Sequence, residues 1–75
     1  MFGNLRKKVL KRKLQEVKRG IIELEAQIIF HRGKIDYEKD TLSKQQIDQY
    51  ELAIKTAEDQ IKTNKDYVRY VEPTL

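Results

Sequence analysis

Apolar side chains recur along this chain in two stripes of equal length, one on each side of a short polar break. The first runs Leu10, Leu14, Val17, Ile21, Leu24, Ile28, His31, Ile35; the second runs Ile47, Tyr50, Ile54, Ala57, Ile61, Asn64, Val68, Val71. Both advance by alternating steps of four and three, the spacing of a helix that buries one seam against another helix. The pattern predicts an all-α chain with one domain, residues 1–75. Its first helix covers about 5–38, its turn about 39–43 and its second helix about 44–71. Asn4 is placed to cap the first helix, since its side-chain oxygen can accept from a free amide of the first turn. Ser43 followed by Gln46 has the form of a capping box, with Asp40 and Thr41 as alternative caps. Pro73 stops the second helix. Gly20 and Gly33 fall inside the first, each costing about 1 kcal/mol relative to alanine.

Ile35 and Ile47 are twelve residues apart, which is not a whole number of heptads, so the seam loses phase between them. Two geometries follow. The chain folds back as an antiparallel hairpin, or one long helix continues through residue 40 and pairs with another chain. The segment between 34 and 46 holds no Gly or Pro to forbid the second. Equal stripe lengths favour the hairpin. Pairing residues whose numbers sum to about 82 gives Ile35–Ile47, His31–Tyr50, Ile28–Ile54, Leu24–Ala57, Ile21–Ile61, Val17–Asn64, Leu14–Val68 and Leu10–Val71. Beside the seam this register sets Arg32 near Glu51 and Lys11 near Glu72, but also Glu25 near Glu58 and Lys18 near Lys65. Exposed pairs are worth less than about 1 kcal/mol each, whereas a buried aliphatic side chain is worth about 1.5–3 kcal/mol. The apolar seam therefore decides.

Ile22, Ala26, Ile29 and Gly33 form another helical stripe, with Phe30 beside them, on the side of the first helix away from the seam. A helix apolar on opposite sides is usually covered on both, and a two-helix hairpin covers one. The expected completion is a homodimer that packs first helix on first helix into a four-helix bundle, with Ala26 and Gly33 letting backbones approach. The same face also suits an apolar groove of another protein.

At 75 residues the chain buries a limited core. It has no cysteine, so neither disulfides nor thiolate metal sites reinforce it. No apolar run approaches the roughly 18 residues that span a bilayer. Phe2 and Leu5 precede Arg6-Lys7-Lys8, the reverse of a signal peptide's order. A cytoplasmic protein is expected. His31 has no partners at metal or catalytic spacing, and is expected to bond the Tyr50 hydroxyl or reach solvent. Asn64 reads as a register-setting polar residue in the seam. Asp36, Glu38 and Asp40 depart from the spacing of a calcium loop and lack its glycine. No phosphate-binding glycine loop is present. No catalytic residue, cofactor, metal or small-molecule substrate is therefore assigned.

The net charge of +4 is concentrated at one end. Residues 6–19 carry eight basic side chains and one acid, Glu16, while the chain from Glu38 onward has six basic and eight acidic. Arg6, Lys7, Lys8, Lys11, Arg12 and Lys13 spread around a helical cylinder, with Phe2, Leu5 and Val9 on one side. Such a segment reads either as a solvated helix end whose charges keep the chain soluble or as a contact for a phosphate backbone, an acidic protein surface or, least of these, an anionic membrane. It lacks interleaved aromatics for base stacking. The expected function is a small non-enzymatic interaction module. It binds and modulates or positions another macromolecule through the basic helix end and the apolar face of Ile22, Ala26, Ile29, Phe30 and Gly33. The competing expectation is a dimeric DNA- or RNA-binding protein that grips phosphates through the basic ends.

Overall fold

The computed structural model describes residues 2–75, with the Phe2 side chain outside the description, so its expected place beside Leu5 and Val9 lies outside the described residues. Helix α1 spans Phe2–Glu38 and helix α2 spans Lys44–Val71. They pack against each other as a hairpin measuring 60 × 15 × 14 Å, followed by a 3₁₀ turn at Glu72–Thr74. The fold-back, the turn at 39–43 and the end of the second helix before Pro73 are as the stripes predict. Asn4 is not a cap: its backbone is helical, because α1 is already under way at Phe2. A residue with a capping side chain permits a helix start without imposing one.

The reversal is made by hydrogen bonding rather than by glycine. The Glu38 carbonyl accepts from the Thr41 amide, the Leu42 amide and the Thr41 hydroxyl, each at 2.9 Å. These bonds satisfy a helix end that would otherwise leave carbonyls bare. Ser43 then takes an extended backbone, its Oγ accepts from the Gln46 amide at 3.1 Å, and the Gln46 side chain accepts from the Ser43 amide at 2.9 Å. This reciprocal box selects Ser43 over Asp40 and Thr41 as the cap. Leu42 and Ile47 occupy the two positions of a hydrophobic staple around it, both half-buried.

All sixteen seam positions are buried or half-buried. Leu14, Ile54 and Ala57 are the most enclosed, and among the described residues no side chain is completely shut off from solvent. His31 lies against Tyr50, as the register pairs them, with ring centroids 5.5 Å apart. The flanking charges differ from expectation. Arg32 bonds Glu58 at 3.3 Å rather than Glu51, and Glu72 pairs with Lys18 rather than Lys11. The cause is the tilt of helical side chains toward their own N-terminus. In an antiparallel pair, two such side chains converge only when their α-carbons are offset by about two turns. Both observed pairs share that offset, and Glu25 and Lys65 occupy the rung between them. The like-charge neighbours Glu25–Glu58 and Lys18–Lys65 lean apart instead. One flank thus becomes a ladder of opposite charges.

Asn64 reaches Gly20: a Cβ on Gly20 would lie 4.0 Å from the Asn64 amide nitrogen, an ordinary contact. Gly20→Ala therefore gains helix propensity without a clash. It should raise stability by about 1 kcal/mol, or roughly 5 °C in the thermal midpoint. A lowered midpoint in a circular-dichroism melt would show that the two backbones pack more tightly here than described.

Candidate interaction surfaces

A hairpin only two helices thick leaves most of each cylinder in water, so its functional groups are those that the seam does not use. The outer face of α1 carries Ile22, Ala26, Ile29, Phe30 and Gly33 as expected. Ile22 is 67% exposed, Ile29 72% and Phe30 59%, while Gly33 is half-buried. Tyr37 extends this face and is 92% exposed. It stands one heptad beyond Phe30, a signal present in the sequence that its place near the turn obscured. Ile29, Phe30, Gly33, Lys34, Tyr37 and Glu38 line a shallow groove open to solvent. Lys34 helps shape it, bonding Glu38 at 3.4 Å and holding its ammonium 5.8 Å from the Phe30 ring centre.

The basic segment lies at the far end of the same helix. Arg6, Lys7, Lys8, Lys11, Arg12 and Lys13 are all exposed, and among the described residues none of them forms an ion pair. Val71 comes opposite about residue 11, so the first turns of α1, which starts at Phe2, project beyond α2 by roughly 14 Å at 1.5 Å per residue. Leu5 and Val9 are 63% and 59% exposed on this projection. The first turn has no acidic side chain to offset the positive end of the helix dipole. The field of the dipole and that of the cations therefore add.

The two sides of the seam differ in a way the stripes alone did not reveal. Opposite the charge ladder, Leu24, Gln27, Gln49, Leu52, Ala53, Thr56, Ala57 and Gln60 line a shallow groove without one ionisable group, in a chain that is 37% charged. Leu52 and Ala53 look scattered in sequence. Only the pairing of the helices brings them beside Leu24 and Gln27.

His31 makes no bond to the Tyr50 hydroxyl. The rings meet at a 40° tilt, Phe30 packs edge-on at 5.7 Å, and Nδ1 is enclosed without a hydrogen-bond partner among the described residues. Stacking brings face to face and leaves the nitrogen unmatched. An unsatisfied enclosed acceptor costs about 1–3 kcal/mol, so His31→Leu should raise the unfolding free energy, by about 1 kcal/mol in a urea titration. A loss of stability of that size would mean that the imidazole holds a bond the stacked geometry does not contain.

Among the described residues no group of three potential metal ligands comes together, and no helix is long and apolar enough to cross a membrane. The candidate sites are therefore surfaces rather than pockets: a basic projection, an apolar back and an uncharged groove. Neither protein-family models, nor curated proteins, nor solved structures give a match to this chain.

Proposed function

We propose that this protein is a non-enzymatic helical interaction module, a cytoplasmic regulator that docks on an acidic partner. It binds through the basic projection of α1 and positions the partner with respect to the rest of the hairpin. The observation that carries this reading is the set of six exposed cations, Arg6 to Lys13, without ion-pair partners among the described residues. Cations kept only for solubility gain nothing from being gathered at one helix end, with Arg6, Lys7 and Lys8 on its projecting turns. Gathered there, they repel each other and oppose the helix dipole, a cost that an anionic partner offsets. The apolar face from Ile22 to Tyr37 supplies a second contact, for a further copy of the chain in a four-helix bundle or for an apolar groove.

An acidic protein surface is favoured over nucleic acid because Leu5 and Val9 lie exposed among the cations. Apolar side chains there gain from a protein groove and nothing from a phosphate backbone. The test is a fluorescence-anisotropy titration of two probes, a 20-residue polyglutamate peptide ending in leucines and a random 20-bp duplex, at 50 and 200 mM salt. The peptide should bind more tightly, and Arg6→Ala/Lys7→Ala/Lys8→Ala should weaken it at least tenfold. Tighter binding of the duplex, with affinity falling by about 10³ between the two salts, would transfer the function to nucleic acid. No binding of either probe at 50 mM would end the proposal.

A further inference from the structure

The outer face of α1 carries more information than its apolarity. Its central line alternates large and small: Ile22, Ala26, Ile29, Gly33. Antiparallel packing of this line on a copy of itself allows registers that differ by one heptad, and one of them fits. When facing residue numbers sum to 55, Ile22 lies over Gly33 of the copy and Ile29 over Ala26, each large side chain above a small one. The same register brings Arg19 onto Asp36 at both ends of the contact. A heptad one way sets Arg19 over Ile29; a heptad the other way sets Ile22 over Asp40. Parallel packing sets Ile on Ile and Gly on Gly.

We infer that the outer face of α1 is occupied by a second copy of this chain, packed antiparallel with Ile22 over Gly33 and Arg19 paired to Asp36. The inference rests on the reading of that face as a docking surface and is independent of what the basic end binds. Three further observations support it. Gly33 offers room, because a Cβ built on it meets nothing within 4 Å among the described residues. Surface is in surplus: the hairpin exposes 6429 Å², against about 4,900 Å² for a compact monomer of its 9.0 kDa. That surplus, about 1,500 Å², exceeds the roughly 800 Å² per partner of a stable interface. Charge selects the direction. A parallel pair would crowd two segments of eight cations each. The antiparallel pair sets the six-cation segments about 50 Å apart at 1.5 Å per residue, far beyond the roughly 8 Å screening length of physiological salt.

The assembly is a two-fold dimer of four helices in a row, α1 helices inside and α2 helices outside, since the contact face lies opposite the seam; it differs in this from a bundle around one common core. The charged ladder and the uncharged groove stay open, and the two basic projections point in opposite directions. Side-chain tilt places Phe30 beside Phe30 of the copy, close to the two-fold axis. This ring is one of the large hydrophobes the hairpin alone leaves in water, 59% exposed.

Sedimentation equilibrium at 10–100 μM should give twice the monomer mass. Ile29→Asp should give a monomer of unchanged helicity, since Ile29 takes no part in the seam. Gly33→Leu is the sharper variant. In the lone hairpin its Cβ meets open space among the described residues, yet in the dimer its side chain claims the room that Ile22 of the copy fills. It should weaken association at least tenfold, while Gly20→Ala leaves association unchanged. Because the chain has no cysteine, direction can be read by oxidation. Arg19→Cys mixed with Asp36→Cys should give a heterodisulfide, while each alone stays reduced. A monomer at 100 μM, a Gly33→Leu dimer as tight as the unaltered one, or disulfides formed by Arg19→Cys alone would each overturn the inference. A monomer that still binds polyglutamate would do so while leaving the interaction module standing.

Discussion

Everything in this molecule depends on one antiparallel seam. Sixteen positions, eight from each helix, are withdrawn from water along a hairpin 60 Å long. The burial is thin, with three residues below a tenth exposed, and it is spread evenly. No single side chain anchors the fold; the alternation of steps of three and four does. Most of a helix's stability in a protein comes from packing of its apolar face rather than from propensity, so each arm stabilises the other. The turn adds register to this. Three bonds on the Glu38 carbonyl and the capping box at Ser43 fix where α2 starts, and so which residue of α2 faces which residue of α1.

Once the seam is closed, the remaining surfaces follow from helical geometry. Side chains lean toward their own N-terminus, so the flanking pairs meet two turns away from the residues directly opposite. That offset turns a mixed set of charges into the ladder Lys18–Glu72 and Arg32–Glu58. These pairs are exposed and contribute little stability each. Their effect is directional, since a slip by one heptad would bring like charges together. The other flank, with Gln27, Ala53 and Gln60, has no such constraint. The hairpin thereby acquires a charged side, an uncharged side, an apolar back and a basic end, four environments on a body about 15 Å thick.

The hairpin, its turn and the apolar back of α1 were legible in the sequence because each is a repeat along one helix, and a repeat needs no knowledge of a partner. Features that depend on two helices at once were not. Glu58 becomes the partner of Arg32 only when side-chain direction is added to register. Leu52 and Ala53 join Leu24 only after pairing. His31 and Tyr50 were matched correctly, but whether they stack or bond depends on ring orientation, which spacing does not encode. Asn4 misled for a different reason: capping residues bias a helix start, and Phe2 and Gly3 offer no barrier to an earlier one. The basic segment was visible as composition, and its projection beyond α2 follows from a register that ends at Leu10–Val71.

The central claim, that one chain closes this seam on itself, is tested most directly by a distance. Spin labels at the exposed positions Gln15 and Arg69, diluted with unlabelled protein to remove contributions between chains, report it by pulsed dipolar spectroscopy. The antiparallel hairpin predicts a narrow distribution centred below about 30 Å, the span of two packed helices and their labels. A single continuous helix would hold the labels about 80 Å apart at 1.5 Å per residue, and a distribution beyond 60 Å would contradict the seam and every surface derived from it.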